Sequence, residues 1–79
     1  MKYTYVTFGQ THAHSVNGKI FHKDVVARIP AKDASDGRAK AFKLFDGIFA
    51  FEYFDKEWDE SSMKFYPGGY VDIDYQGEE

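Results

Sequence analysis

Seventy-nine residues, 19% of them aromatic and none of them cysteine, leave no chain for a second core and no thiol for a disulfide or a thiolate metal site. No apolar run approaches the ~20 residues of a membrane helix, and Met1-Lys2-Tyr3-Thr4-Tyr5 alternates like a strand rather than forming a signal peptide's apolar segment. The expectation is one soluble, cytoplasmic domain over 1–79, with a net charge of −3 that conceals a strong polarity along the chain.

The first strand is predicted over Lys2 to Phe8, with Tyr3, Tyr5 and Thr7 on one face and Thr4, Val6 and Phe8 on the other. Thr11 to Val16 and Lys19 to Phe21 flank Asn17-Gly18, a pair suited to a two-residue hairpin turn. This predicts that the first two strands are antiparallel neighbours. The second is expected to continue through Val25 to Ile29 and to stop at Pro30, which has no N–H to donate.

One helix follows. Asp33 or Ser35 can cap its free N–H groups, and Asp36 places negative charge in the first turn. Ala34, Ala41, Phe42 and Phe45, with Leu44 or Ile48 alongside, form the predicted core stripe. Arg38, Lys40 and Lys43 fall on the solvent side, and Gly47 is the expected left-handed terminator.

Phe49 to Phe54 reads as the third strand, and Asp55 to Ser62 as a polar connection interrupted by Trp58. Pro67-Gly68-Gly69 is a strong turn signal. The last strand is expected over Tyr70 to Tyr75, with Tyr70, Asp72 and Asp74 sharing one face before an acidic tail. The predicted fold is α+β: an antiparallel sheet of about four strands, ordered β-β-α-β-β along the chain. One helix packs on one face, and the other face stays open to water or a partner.

Charge divides with the halves. Residues 1–45 carry eight cations against three acids, a balance of +5, whereas residues 46–79 carry ten acids against Lys56 and Lys64, a balance of −8. Such segregation steers encounters with charged partners rather than setting the fold.

No catalytic constellation stands out. His12, His14 and His22 could approach one another across the hairpin as zinc ligands, but no fourth ligand is obvious except Asp24. The plainer reading is a turn that happens to contain histidines. The serines lie in turn or cap contexts without a nucleophile elbow, and paired acids such as Asp72 and Asp74 on a strand are usually a solvated face. The chain is therefore expected to be no enzyme and to need no cofactor or metal.

Gly47 to Phe54 partly resembles the aromatic signature strand of RNA-recognition motifs, whose rings stack bases. Glu52 and Asp46 depart from that pattern, and the surrounding acids repel phosphate. Direct nucleic-acid binding rests instead on Arg38, Lys40 and Lys43 with exposed ring faces. The acidic half offers a different partner. Asp55, Glu57, Asp59 and Glu60 surround Trp58, and Tyr70, Asp72 and Asp74 share a strand face. Carboxylates around exposed rings suit a lysine- and arginine-rich protein surface, such as a groove that otherwise holds nucleic acid. The competing reading folds Trp58 back onto the core and leaves the acids to keep the protein soluble.

Tyr3-Thr4-Tyr5-Val6-Thr7-Phe8-Gly9-Gln10-Thr11-His12-Ala13-His14, followed by Asn17-Gly18-Lys19, resembles the opening of a diffuse group of small phage and prophage proteins. The likeness continues through Ala39 to Leu44-Phe45-Asp46-Gly47, Phe49 to Tyr53, and Phe65-Tyr66-Pro67-Gly68-Gly69. Asp46 interrupts the group's Leu-Phe-Gly element. The resemblance implies an accessory protein of a phage or mobile element acting in the host bacterium's cytoplasm. It implies a counter-defence role of the anti-CRISPR kind, with a host defence protein or CRISPR–Cas subunit as partner, and it carries no family site residues with it.

Overall fold

A computed structural model describes residues 2–10, 13–16 and 18–73. Its elements are β1 (Lys2–Thr7), β2 (His14–Val16), β3 (Lys19–Phe21), β4 (Val25–Ala31), α1 (Ala34–Phe45), β5 (Phe51–Phe54) and β6 (Gly69–Asp72). Single 3-10 stretches cover Asp55–Glu57 and Glu60–Phe65.

The fold is α+β, but its sheet is mixed. The order is β5-β1-β4-β6, and the β2–β3 hairpin forms a separate two-stranded sheet. β1 is antiparallel to β4 and β5, whereas β4 and β6 are parallel. The expected all-antiparallel sheet fails for a topological reason. β4, β5 and β6 all point the same way, so each step between them needs a crossover rather than a hairpin. Helix α1 makes the first crossover on one face. Residues 55–68 make the second, returning across the opposite face from edge strand β5 to edge strand β6. Reversing both direction and face gives the two crossovers the same hand.

The hairpin does not run on into β4 as expected. A turn at residues 22–24 intervenes, closed by Val25 N donating to His22 O at 3.1 Å. Nor does Pro30 end β4, because Lys2 still pairs with Ala31 and Tyr3 with Pro30. Arg28 O accepts from Ile73 N at 3.0 Å, so Arg28 faces β6. Pro30, two residues on, faces the same side, where the paired register has already ended at Asp72. Among the described residues its missing N–H therefore costs no ladder bond.

Helix α1 is capped by Asp33, whose Oδ1 accepts from Asp36 N at 2.8 Å, while Asp36 Oδ2 accepts from Lys32 N at 3.1 Å. Its buried line is Gly37, Ala41 and Phe45. Ala34 is exposed, and Phe42, expected in the core, is 44% exposed. Gly37 explains the rotation. A Cβ there would overlap Thr4 Oγ1 and lie 2.8 Å from Thr4 Cβ, so the helix rests its backbone directly on β1. Phe42 instead meets Phe49 edge-on, with centroids 5.4 Å apart. Asp46 already adopts the left-handed conformation at φ 54°, one residue before the expected Gly47.

Between helix and sheet lie Val6, Phe8, Phe21, Val25, Ala27, Ile29, Ala41, Phe45 and Ile73. Phe8 and Phe45 meet edge to face at 5.0 Å, and Phe21 packs on both. β5 begins at Phe51 rather than Phe49, and β6 covers Gly69–Asp72, beginning one residue earlier than expected and leaving Ile73 outside it. Asp74, Tyr75 and the acidic tail lie outside the described residues, as does His12.

Candidate partner-binding surface

The register assigns the face opposite α1 to Tyr3, Tyr5 and Thr7 of β1, Val26 and Arg28 of β4, Phe51 and Tyr53 of β5, and Tyr70 and Asp72 of β6. This face is not open, contrary to expectation. The returning segment straps across it and lays Trp58 on the sheet. Trp58 stacks on Tyr5 with centroids 5.4 Å apart and planes 14° apart, and tilts against Tyr53 at 5.5 Å and Tyr66 at 6.1 Å. Its indole Nε1 donates to Tyr70 Oη at 3.0 Å. Val26 and Thr7 beneath are buried. Aromatic pairs, the indole bond and a backbone bond from Gly68 N to Asp24 O at 2.8 Å hold the strap, each contributing about 0.5–1.5 kcal/mol.

The strap positions four of the acids singled out in the sequence. Asp55 turns the chain off β5 at φ 52°, an uncommon conformation for a residue other than glycine. Glu57 Oε1 accepts from Phe54 N at 2.9 Å. Asp59 caps the second 3-10 stretch, its Oδ1 accepting from Ser61 N at 3.0 Å and from Ser61 Oγ at 2.8 Å. Those Ser61 bonds hold its carboxyl below the ordinary range. Glu57, Asp59 and Glu60 are exposed, and Lys56 and Lys64 are the only cations of residues 55–66. Asp55, Glu57, Trp58, Asp59 and Glu60 thus lie on one strap, with Tyr70 joined to it through the indole.

Asp72 stands apart. It makes a two-pronged ion pair with Arg28, Nε to Oδ1 at 2.6 Å and Nη2 to Oδ2 at 3.1 Å. That contact is the main reason its carboxyl is lowered and the Arg28 guanidinium raised. Arg28 also lies 5.1 Å from the Tyr3 ring centroid and 4.8 Å from that of Tyr70. Lys19 Nζ, reaching in from the hairpin, donates to Asp72 O at 2.6 Å. Asp72 therefore fastens β6 to β4 and to the hairpin. The position of Asp74 lies outside the described residues.

The other sequence candidates are distributed differently. Lys40 pairs with Asp36 at 3.0 Å and donates to Pro30 O at 2.9 Å, whereas Arg38 and Lys43 are exposed, Arg38 lying 5.1 Å over the Phe42 ring. His14 packs on Phe8 and Phe45, with Nε2 2.7 Å from Ile48 O. His22 Nδ1 accepts from Asp24 N at 3.1 Å. Among the described residues no group of three or more His, Asp or Glu side chains is placed to hold a metal ion, and no helix is long and apolar enough to cross a membrane.

Sequence reasoning missed Tyr5 and Tyr53 as the seat of the strap and Tyr66 as the strap's second ring. The signal was present in tyrosines at alternate strand positions facing a lone tryptophan in a polar loop, because an amphipathic ring covers a sheet while its polar atom reaches a partner. No protein-family model, curated protein or solved structure matches the chain.

Proposed function

We propose that this chain is a non-enzymatic, stoichiometric inhibitor of the anti-CRISPR kind. It sets its acidic strap against a basic, nucleic-acid-binding surface of a CRISPR–Cas effector subunit in the host cytoplasm and blocks nucleic-acid access. The observation that carries this reading is the fixing of Asp55, Glu57, Asp59 and Glu60 on a short segment pinned by Trp58. A segment ordered before contact, with the Asp59 carboxylate already held by Ser61, loses little freedom on binding, which favours affinity as well as fast encounter. The counter-defence setting rests on the likeness to phage accessory proteins; the acidic polarity of the contact rests on the strap.

The test combines purified CRISPR–Cas effectors with the protein and measures target-DNA binding. Inhibition should saturate at a fixed stoichiometry with at least one effector, and should weaken when Asp55→Asn, Glu57→Gln and Glu60→Lys are combined. Undiminished inhibition by the triple variant removes the acidic strap from the contact.

The exposed Arg38 and Lys43 support a second reading, a small accessory protein that binds nucleic acid through α1 and exposed rings. With Lys40 engaged by Asp36 and Pro30 O, that patch is thinner than its sequence suggests. Steeply salt-dependent retention of DNA or RNA would favour it.

A further inference from the structure

We propose that the outer edge of β5 is a docking strand, to which an extended, lysine- or arginine-bearing segment of the partner adds as a further strand beside Glu52 and Phe54. The proposal rests on the reading that the partner is basic and specifies how it is held.

β5 is an edge strand, paired with β1 on one side and, among the described residues, with no strand on the other. Its outward polarity is visible at Phe54. The Phe54 N–H does not point to β1 but is taken by Glu57 Oε1 at 2.9 Å. A side-chain carboxylate thus occupies the place an incoming strand's carbonyl would take. Glu57 is exposed and can turn away without leaving a buried group unpaired. By the alternation of a strand, Glu52 presents its N–H and C=O to the same side. Unpaired backbone of this kind is a template for strand addition, in which main-chain bonds give affinity and alternate side chains give specificity.

Both sides of such an added strand find a surface. Towards the helix, Ala34, Ser35, Arg38, Glu52, Phe54 and Glu57 line a groove of about 500 Å³. Towards the strap, Phe51 is 62% exposed and stands beside Tyr53, with ring centroids 6.1 Å apart. Alternate residues of the incoming segment would enter the groove and lie on Phe51.

Charge selects the occupant. Residues 46–60, which contain β5, hold six acids and one lysine. Glu52 accepts from Thr4 Oγ1 through Oε2 at 2.6 Å and has a second oxygen for a cation. Arg38 faces the Phe42 ring rather than either groove carboxylate. A second copy of β5 would bring another Glu52 and Glu57 to the same edge, and like charges at close range disfavour it. A cationic segment meets two groove carboxylates, Glu52 and Glu57, against the single guanidinium of Arg38.

The experiment titrates the ¹⁵N-labelled full chain with a blocked peptide alternating lysine and valine, and in parallel with its glutamate–valine counterpart. The largest amide shifts with the lysine peptide should fall at Glu52 and Phe54. Phe51→Lys, a change at an exposed ring, should weaken binding by about tenfold while leaving the melting curve in place. Equal binding of the two peptides, or no binding at millimolar peptide, overturns the docking strand. Shifts confined to residues 58–66 also overturn it, yet leave the acidic strap standing as the contact. Failure of the effector assay with β5 shifts intact removes the proposed partner instead.

Discussion

The two faces of one sheet are covered by opposite means. On the α1 side, Val6, Ala27, Ile29, Ala41 and Phe45 exclude water almost completely, none being more than 1% exposed. On the strap side, Tyr5, Tyr53, Trp58, Tyr66 and Tyr70 are only half-buried, over a floor of Val26 and Thr7. The helix satisfies its own backbone and can present a purely apolar line. The strap has little regular structure, so it relies on rings that stack while the Trp58 indole N–H stays hydrogen-bonded to Tyr70 Oη. The first face supplies stability; the second supplies a shaped, charged exterior at a lower stability of its own.

That contrast predicts a ranked series. Phe45→Ala empties the meeting point of Phe8, Phe21 and His14 and should cost about 3–5 kcal/mol, a large share of the roughly 4–12 kcal/mol typical for this length. Denaturant melts should record loss of the whole fold. Trp58→Ala should cost about 2–3 kcal/mol. Amide exchange should then accelerate in residues 55–68 while β1 and β4 stay protected. A uniform acceleration would mean the two faces form one cooperative unit.

Gly37→Ala tests the helix side from the opposite direction. In an exposed helix interior the change stabilises by up to about 1 kcal/mol. Here the added methyl meets Thr4, and a net loss of about 1–2 kcal/mol is expected in thermal melts. A gain would show that α1 can lift off β1 cheaply.

Acid and alkali should probe different fastenings. Asp72, lowered chiefly by its Arg28 hydrogen bonds, and Asp36, lowered chiefly by the Lys32 N–H, ionise more readily folded than unfolded. Their contribution is present above the unfolded carboxylate value of about 3.9 and is lost as pH falls through the lower folded values. Because Asp72 is largely exposed, the effect should stay below about 1 kcal/mol. Asp72→Asn should flatten the melting-temperature profile below about pH 4. Tyr5 is shifted upwards, first by burial and then by Tyr70. Its contribution is full below about pH 10 and is lost as pH rises through the folded value. Trp58 fluorescence should register that alkaline loosening more strongly than far-ultraviolet dichroism does. The smallest effect is expected from Glu60→Lys, within about 0.5 kcal/mol of the parent in melts, even where partner binding changes.

Much of the helix side was legible in the sequence because its signals are local. Asp33 announces the cap, Ala41 and Phe45 the stripe, and Asn17-Gly18 the hairpin that joins Val16 to Lys19. Phe42 was misplaced because Gly37, not a large side chain, sets the contact line. The strap side was less legible. Nothing near Gly69–Asp72 says that it pairs with Val25–Arg28, since strand order depends on residues remote in sequence. The acids around Trp58 were found as a cluster, but their arrangement depends on Tyr5, more than fifty residues earlier.

The parallel ladder between β4 and β6 bears on how the molecule assembles. Val26 and Tyr70, paired there, are 44 residues apart, whereas Thr4 and Ile29 are 25 apart. Closing the longer loop costs more chain entropy, and that cost must be met before the ladder rewards it. β1, β4 and α1 can therefore associate first, with β5, whose Tyr53 pairs Tyr5 across 48 residues, and β6 joining later. Until the strap closes, the Tyr5 ring is uncovered, and a chaperone or a neighbouring chain would meet it on the side that is later sealed.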